Sequence, residues 1–541
     1  MSIHSKSYRI IAGVAIPLSL YAVLSAPVHA APPTLPNATP LQQSVFNGVF
    51  TMCTQYLDGT IFDNAPQNDL HDQCHAIAVS ALNSGEFGNA PTTALGALQQ
   101  VSGNQITAQG SLATRVSSGQ FANISGRINA LRFGSGASIG QGTVARSDSA
   151  PVGPQSFYLD SSVLDRSAQN RASSQDVASF RPVDGASFLN TAYVSDLSYR
   201  QYSDGASGSS GSSLSSVAQV PNPWGVFVQG SYNTGHHDAT AAEDPFDFHA
   251  SSVTAGMDYN FGMGVLGASI GYDDYDAGFR TDGDNVSGGS ARVQGTSASL
   301  YGAWFGQNWT FNGIASYGRL ITNLTRRVSY DVTYLQGTLD PQTGIITNDN
   351  CPGGVCSVAV NRTLTGDPSG RSLAIGSTAG YQYSVSSWDL MPSLSVAYRR
   401  ASIDSFAETD AADPGDGLPL AFNDQTVDSL RSILGLDVSR PISVPFGVLT
   451  PLLRVEWDHE YKTGARTLGA HYVFDPSLAT GVCASCFNIP TDETPANYGV
   501  AGLGVSVTLA HRVQAFIYDE LLVGYTNYQS NTVSIGLRGQ F

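Results

Sequence analysis

From Pro221 to the last residue, hydrophobic and polar positions alternate along the chain with period two. The segment Leu449–Tyr461 is clearest: Pro451, Leu453, Val455 and Trp457 fall on one face, and Arg454, Glu456, Asp458 and Glu460 on the other. Twelve such strands are predicted, at 224–233, 250–262, 265–278, 289–305, 309–329, 368–385, 388–408, 426–442, 447–466, 499–511, 513–526 and 531–541. Short connections near 262–264, 306–308, 386–387, 443–446 and 511–512 alternate with long polar ones at 234–249, 279–288, 330–367, 409–425 and 467–498, and a shorter one near 527–530. A soluble sandwich produces the alternation within a strand but has no reason to segregate loop lengths. An even strand count with tight turns at one end and long loops at the other marks a membrane barrel, apolar face on lipid and charged face in the lumen. The predicted fold class is therefore an all-β membrane barrel of about 12 antiparallel strands, preceded by an N-terminal α-helical segment.

Ahead of the strands the period changes. Residues 94–133 place Leu95, Leu98, Val101, Leu112, Val116, Ile124, Ile128 and Leu131 near a 3.6 period and predict one helix, with Arg127 and Arg132 towards its C-terminal end. Its opposite face is small and polar, with Ser102, Thr107, Ser111, Ser118 and Ser125. Residues 31–93 form a short mixed segment with helical fragments expected around 44–57 and 70–82. Residues 134–220, rich in Gly, Ser and Asp, read as a linker. Lys6 and Arg9, an apolar stretch from Ile10, and the small-residue exit Val28-His29-Ala30 predict a signal peptide over 1–30.

Composition narrows the picture. The 541 residues carry 26 Lys+Arg against 43 Asp+Glu, a formal net charge of −17, which argues against nucleic acid as a partner. A mean hydropathy of −0.06 argues against a bundle of transmembrane helices. Six cysteines fit an exported chain, and their sequence pairs Cys53/Cys74, Cys351/Cys356 and Cys483/Cys486 are candidate local disulfides among fifteen possible pairings. Cys351 and Cys356, like Cys483 and Cys486, are expected in long loops and hence on the same outer side of the barrel.

Interface and lumen positions follow from parity. Trp224, Trp304, Trp309 and Trp388 fall beside short turns, as an interfacial aromatic girdle requires; Trp457 does not. In the last strand Val533, Ile535, Leu537 and Phe541 alternate with Ser534, Gly536, Arg538 and Gln540, so Arg538 joins Arg454, Glu456, Asp458 and Glu460 in the lumen. A pairing of Arg127 or Arg132 with that acidic row is the sharper expectation; a merely hydrated polar lumen is the plainer one. Asp519 breaks the pattern, because parity puts it on lipid unless a bulge or register slip intervenes.

Chemistry is sparse. Gly136-Ala-Ser-Ile-Gly140 and Gly267-Ala-Ser-Ile-Gly271 match the letters of a nucleophile elbow, but one lies in the linker and the other inside a predicted strand. Cys53, His71, Cys74 and His75 offer a zinc reading, Cys483-Ala-Ser-Cys486 a redox one, and the acidic run 408–417 a calcium one. A disulfide, a loop staple and a solvated loop are the plainer alternatives. No catalytic residue, metal or cofactor is expected.

Three fragments, Trp224-Gly-Val-Phe-Val-Gln-Gly, Leu449-Thr-Pro-Leu-Leu-Arg-Val-Glu-Trp-Asp-His-Glu-Tyr and Ser534-Ile-Gly-Leu-Arg-Gly-Gln-Phe541, follow a signal-peptide pattern in this order. In this the chain resembles the autotransporter (type V secretion) family of Gram-negative bacteria over 221–541. The resemblance implies an outer-membrane translocator barrel amid lipid and lipopolysaccharide, reached through Sec export and the barrel-assembly machinery, which would read the terminal strand Val533, Ile535, Leu537, Phe541. It also implies that 94–133 is a junction helix left in the lumen and that 31–93 is a short passenger displayed at the cell surface, for adhesion or another contact with an unknown ligand. Some family members cleave themselves at a junction Asn; Asn123 and Asn129 are the residues in question. The alternatives are a porin-like channel with a helical plug and a surface hydrolase.

Overall fold

The computed structural model describes residues 31–54, 64–82, 93–133, 223–283, 285–335, 351–509 and 513–540. The expected signal peptide, the linker 134–220, the Gly136–Gly140 motif and Phe541 lie outside the described residues.

Twelve strands form the barrel: β1 (Trp224–His237), β2 (Phe246–Asn260), β3 (Gly264–Phe279), β4 (Gly289–Phe305), β5 (Trp309–Leu335), β6 (Ser369–Tyr381), β7 (Trp388–Ile403), β8 (Gln425–Ser439), β9 (Gly447–Glu460), β10 (Asn497–Leu509), β11 (Val513–Val523) and β12 (Tyr528–Gln540). Each pairs antiparallel with the next, and β12 returns to β1 from Gly225↔Gln540 to His237↔Tyr528. Both neighbours of every strand are thus occupied, and the sheet has no free edge in the ring. The strand count and the alternation of tight turns with long loops agree with the sequence.

The outer wall is apolar. Leu266, Ile270, Leu300 and Leu503 are 63%, 69%, 68% and 65% exposed on the isolated chain, a belt that only lipid can cover. Trp224, Trp304, Trp309 and Trp388 stand on that wall at the short-turn end, with Trp224 against Tyr259 and Trp309 against Tyr381. A second set of exposed outward aromatics, Tyr232, Tyr272, Tyr317 and Trp457, stands towards the loop end.

Four features of the strands and their loops differ from the sequence reading. The expected loop 330–367 is in part a hairpin: β5 continues to Leu335 and pairs with the strand Val355–Gly366. Cys356, expected in a loop, is consequently a strand residue opposite Tyr334. It is buried because the alternation of this strand turns Cys356 and Val360 towards the core at the loop end, leaving Val355, Ser357 and Ala359 exposed. The loops 404–424 and 461–496 carry a four-stranded outer sheet, Phe406–Ala407, Leu420–Phe422, Thr467–Tyr472 and Phe487–Pro490, whose strands are too short for a period to register. No bulge rescues Asp519. The pairing of β11 with β10 and β12 runs unbroken, with Asp519 opposite Leu503 and Val533.

Helices α1 (Pro40–Met52), α2 (Ala65–Leu82) and α3 (Ala94–Val101) sit at the loop end. Thr39 and Gln42 form a capping box at the start of α1, with Pro40 in the first turn. The expected single helix 94–133 is two: Gly103, at φ 69, turns the chain out of α3, and α4 (Thr107–Phe133) follows after a 3₁₀ turn. Phe46, Phe50, Leu70, Ile77 and Leu98 share one core with Tyr330 and Val332 of β5, with Cys356, and with Leu420, Phe422 and Ile489 of the outer sheet. The loop end of the barrel is thereby capped. Among the described residues no helix is long and apolar enough to cross a membrane.

Candidate functional site: the lumen and its helix

α4 enters the barrel at the loop end and runs to the short-turn end, packing mainly on β1–β8, while Arg115 reaches across to lie 3.6 Å over the Tyr528 ring of β12. Three side chains at i, i+3 and i+7 fasten it, because these positions share one helical face. Gln120 Nε2 donates to Asp273 Oδ2 at 2.9 Å and Ser252 Oγ at 3.1 Å, while Thr254 Oγ1 donates to Gln120 Oε1 at 2.7 Å. Asn123 Nδ2 donates to Ser252 Oγ at 3.0 Å and Thr254 Oγ1 at 2.9 Å. Arg127 Nε donates to Asp258 Oδ2 at 2.9 Å, and the Tyr301 hydroxyl donates to the same oxygen at 3.1 Å. Gly119 permits the close approach: a Cβ there would lie 2.8 Å from Asp273 Oδ1.

On the far side of the helix a polar cavity of about 820 Å³ lies between Ser111, Thr114 and Ser125 of α4 and the inner wall of β8–β12. Arg454, Glu456, Asp458 and Glu460 line it. Arg454 Nε donates to Asp437 Oδ1 at 2.6 Å and lies 3.5 Å from Glu456. Arg431 donates to Asp458 Oδ2 at 2.9 Å and to the Tyr498 hydroxyl at 2.8 Å. Glu460 accepts from Ser429 Oγ at 2.6 Å and from the Leu430 amide at 2.9 Å. The acidic row is therefore engaged by its own neighbours in the wall, Asp458 and Glu456 by arginines and Glu460 by neutral donors. The expected pairing of Arg127 with it does not form, because Arg127 faces β2 and takes Asp258; the Arg132 side chain lies outside the described residues.

Arg538 is buried and shares a small void with Arg127, Gln514 and Phe516. Val533, Ile535 and Leu537 are exposed on the outer face of β12. The helix face named from sequence, with Ser111 and Ser125, lines the cavity; Arg127 was named as a pairing cation, but the gripping face it shares with Gln120 and Asn123 was not read. Its signal was a polar i, i+3, i+7 set inside an otherwise apolar period.

At the loop end, His237, Glu243 and Asp492 gather, with His237 Nε2 at 3.8 Å from Glu243 and 3.4 Å from Asp492. Burial pushes the Glu243 carboxyl up, opposed by His237. Beside it, burial raises Asp244 to about 6 against hydrogen bonds from Asn104 at 3.0 Å and Gln99 at 3.5 Å. Asp416 is raised to about 6 by burial, against the Leu418 amide and Arg362. The acidic run 408–417 does not converge on a calcium site: Glu408 pairs with Arg326, Asp416 accepts from Leu418, and Asp410 and Asp413 accept from local amides.

All three local cysteine pairs, Cys53–Cys74, Cys351–Cys356 and Cys483–Cys486, are disulfides. Bonding of Cys53 to Cys74 removes both sulfurs from the zinc reading, and His71 stacks on His75 instead. The bridge from Cys351 to Cys356 is not a staple within a free loop: it ties the residues ahead of a strand to the first inward-facing position of that strand. Ser269 of the Gly267–Gly271 motif is in mid-strand β3, buried on the inner wall, with no hydrogen-bond partner among the described residues. His459 points outward and meets Asn497 Oδ1 at 2.9 Å.

A closed twelve-stranded barrel with an apolar outer wall and a helix gripped in its lumen defines a bacterial outer-membrane barrel protein. The family profile described as autotransporter beta-domain matches residues 226–518, more than half of the chain, and the chain belongs to the autotransporter family. Among solved structures it is similar to the translocator domain of the autotransporter NalP from Neisseria meningitidis, at 17% identity and a TM-score of 0.40 over 60% of this chain and 90% of that one. It is also similar to the beta domain of the Bordetella autotransporter BrkA (14%, 0.36, 59% and 100%) and to the outer-membrane protease OmpT from Escherichia coli (10%, 0.27, 59% and 97%). No curated protein matches.

Proposed function

We propose that this autotransporter barrel carries its own N-terminal segment to the cell surface and keeps it there as a docked cap, with α4 as the tether in the lumen. The observation that supports the reading is the continuity of grip along one chain. Arg127 anchors α4 to Asp258 near the short-turn end, and α1–α3 pack into one core with β5 and the outer sheet at the loop end. A passenger destined for release would have no reason to share a core with the barrel's own loops. The cap is then the part presented for contact with other surfaces, adhesion included. Asn123 accordingly stays intact, its amide occupied by Ser252 and Thr254.

An epitope tag inserted at the exposed turn after Asn37 tests this. Labelling on unpermeabilised cells, with the tag and barrel on one polypeptide, is expected. A tag reached only after permeabilisation sinks the display reading, and a tag shed into the medium sinks the retained cap.

The polar cavity beside α4 favours a second reading, a channel whose helix is a permanent plug. Ion conductance through the wild-type barrel in a planar bilayer, with the tag unlabelled on whole cells, selects it.

A further inference from the structure

On the outer wall, Arg319 of β5 stands directly opposite Arg371 of β6 in the strand register. Both side chains are exposed, and neither makes a hydrogen bond or ion pair among the described residues. Directly opposed residues hold their Cβ atoms about 4.5–5.5 Å apart, where like charges destabilise the pair. Arg400 of β7 adds a third exposed guanidinium diagonally across, since its register partner on β6 is Leu373, two positions from Arg371. Arg400 lies 3.8 Å from Asp428. The other nearby carboxylates are engaged: Asp367 accepts from Asn323 at 2.8 Å and Asp404 from Ser369 at 2.8 Å.

Height on the barrel says what faces this cluster. Trp309 of β5 lies in the short-turn girdle, and Arg319 is ten positions further along the same strand. Ten positions at about 3.3 Å each, on a strand tilted about 40°, climb about 25 Å, which is the height of the apolar band of such barrels. Arg371 is likewise ten positions from Tyr381, and exposed Tyr317 and Ile375 lie just below the pair. The three arginines thus emerge from the apolar wall at the far headgroup layer. A guanidinium binds a phosphate through parallel N–H donors, so a phosphate bridging two of them removes their repulsion.

We propose that Arg319, Arg371 and Arg400 bind a phosphate of the phosphorylated glycolipid of the outer leaflet, holding one lipid molecule against strands β5–β7. The assignment of this layer to the outer leaflet rests on the loop end facing outward, as in the proposed function. The chemistry of the site does not depend on it.

The test uses full-length protein in mild detergent, with bis-phosphorylated lipid A, dephosphorylated lipid A, phosphatidylglycerol and inorganic phosphate as probes. Native mass spectrometry and thermal unfolding give the readouts. Bis-phosphorylated lipid A is expected to bind wild type and raise its Tm, with affinity falling at least about tenfold in R319Q/R371Q, a loss of about 1.4 kcal/mol. R319K/R371K, which keeps charge but not the fork, is expected to fall between the two. Heat-modifiable gel mobility shows that each variant is folded; if the Gln pair is not, R400Q with the Lys pair carries the test. Equal binding by wild type and variants overturns the proposal, as does equal binding of dephosphorylated lipid A or phosphatidylglycerol. Stabilisation by free phosphate without lipid A binding also overturns it. If lipid A binds as expected while the Asn37 tag is found inside the cell, the display reading and the leaflet assignment fail and the phosphate site itself stands.

Discussion

Arg127 of α4 and Asp258 of β2 form an ion pair inside the barrel with side-chain exposures of only 2% and 1%. Tyr301 also donates to Asp258, and the Phe227 ring lies 5.0 Å from the guanidinium. Removing one partner leaves the other charge buried and uncompensated, which costs about 3–5 kcal/mol, whereas replacing both by apolar groups is near neutral. Asp258→Ala is therefore expected to loosen α4, raising single-channel conductance and lowering the unfolding temperature. Arg127→Met with Asp258→Leu is expected to restore most of the stability. Unchanged conductance and unfolding in Asp258→Ala would show that the pair does not hold the helix.

Docking of the cap should depend on pH. Burial holds the Asp244 carboxyl at about 6, above its ordinary value of 3.8, although Asn104 and Gln99 donate to it. Asp416 is displaced in the same direction. With a raised folded value, the docked state binds protons that the undocked state has lost between about pH 4 and 6. Docking is then strongest in acid and weakens as pH rises through 6. Hydrogen exchange in α3, corrected for intrinsic rates, is expected to be slower at pH 5 than at pH 7.5. Asp244→Asn keeps the acceptor and removes the charge, so it should flatten the difference; an unaltered profile assigns the effect elsewhere.

The disulfide Cys53–Cys74 joins the end of α1 to α2 across 21 residues, whereas Cys351–Cys356 spans 5 and Cys483–Cys486 only 3. Loop closure makes the longest link worth about 3 kcal/mol and the shorter ones less. Cys53→Ser with Cys74→Ser is expected to speed exchange in α1 and α2 while leaving barrel strands protected. Equal effects of removing Cys53–Cys74 or Cys483–Cys486 would contradict the entropic account.

Much of the barrel was legible because its signal is long and periodic. A strand such as β9 repeats apolar and polar residues often enough that Val455 and Glu456 can only lie on opposite faces. The cap was not legible for the converse reason. Phe406–Ala407 and Leu420–Phe422 become a sheet only when Tyr472 and Phe487 arrive from a distant loop. Cys356 is a similar case, since its strand forms only because β5 outruns the barrel and offers Tyr334 as a partner. Likewise the sequence offered Arg127 as a lumen cation, but not which wall it would meet. That choice depends on where Gly119 and Gly126 let the helix approach the sheet, a three-dimensional property.

Asp519 shows parity reasoning holding where side-chain chemistry argues against it. It is exposed on the outer face of β11 between exposed Ile517 and Leu521, with Leu503 and Val533 across the two ladders. Six positions beyond Val513, at about 3.3 Å per residue and about 40° of tilt, it lies about 15 Å up a band about 25 Å tall. A cationic side chain at mid-depth destabilises such barrels by about 2–4 kcal/mol and an acidic one by less. Asp519→Leu is therefore expected to stabilise the barrel by about 1–2 kcal/mol, measured by reversible denaturant unfolding in lipid vesicles. Asp519→Asn should recover part of that gain, because it removes the charge and keeps the polarity. Should Asp519→Leu instead destabilise the barrel, the carboxylate has a partner within the membrane, and the outer wall at β11 is an interface with protein and not with acyl chains.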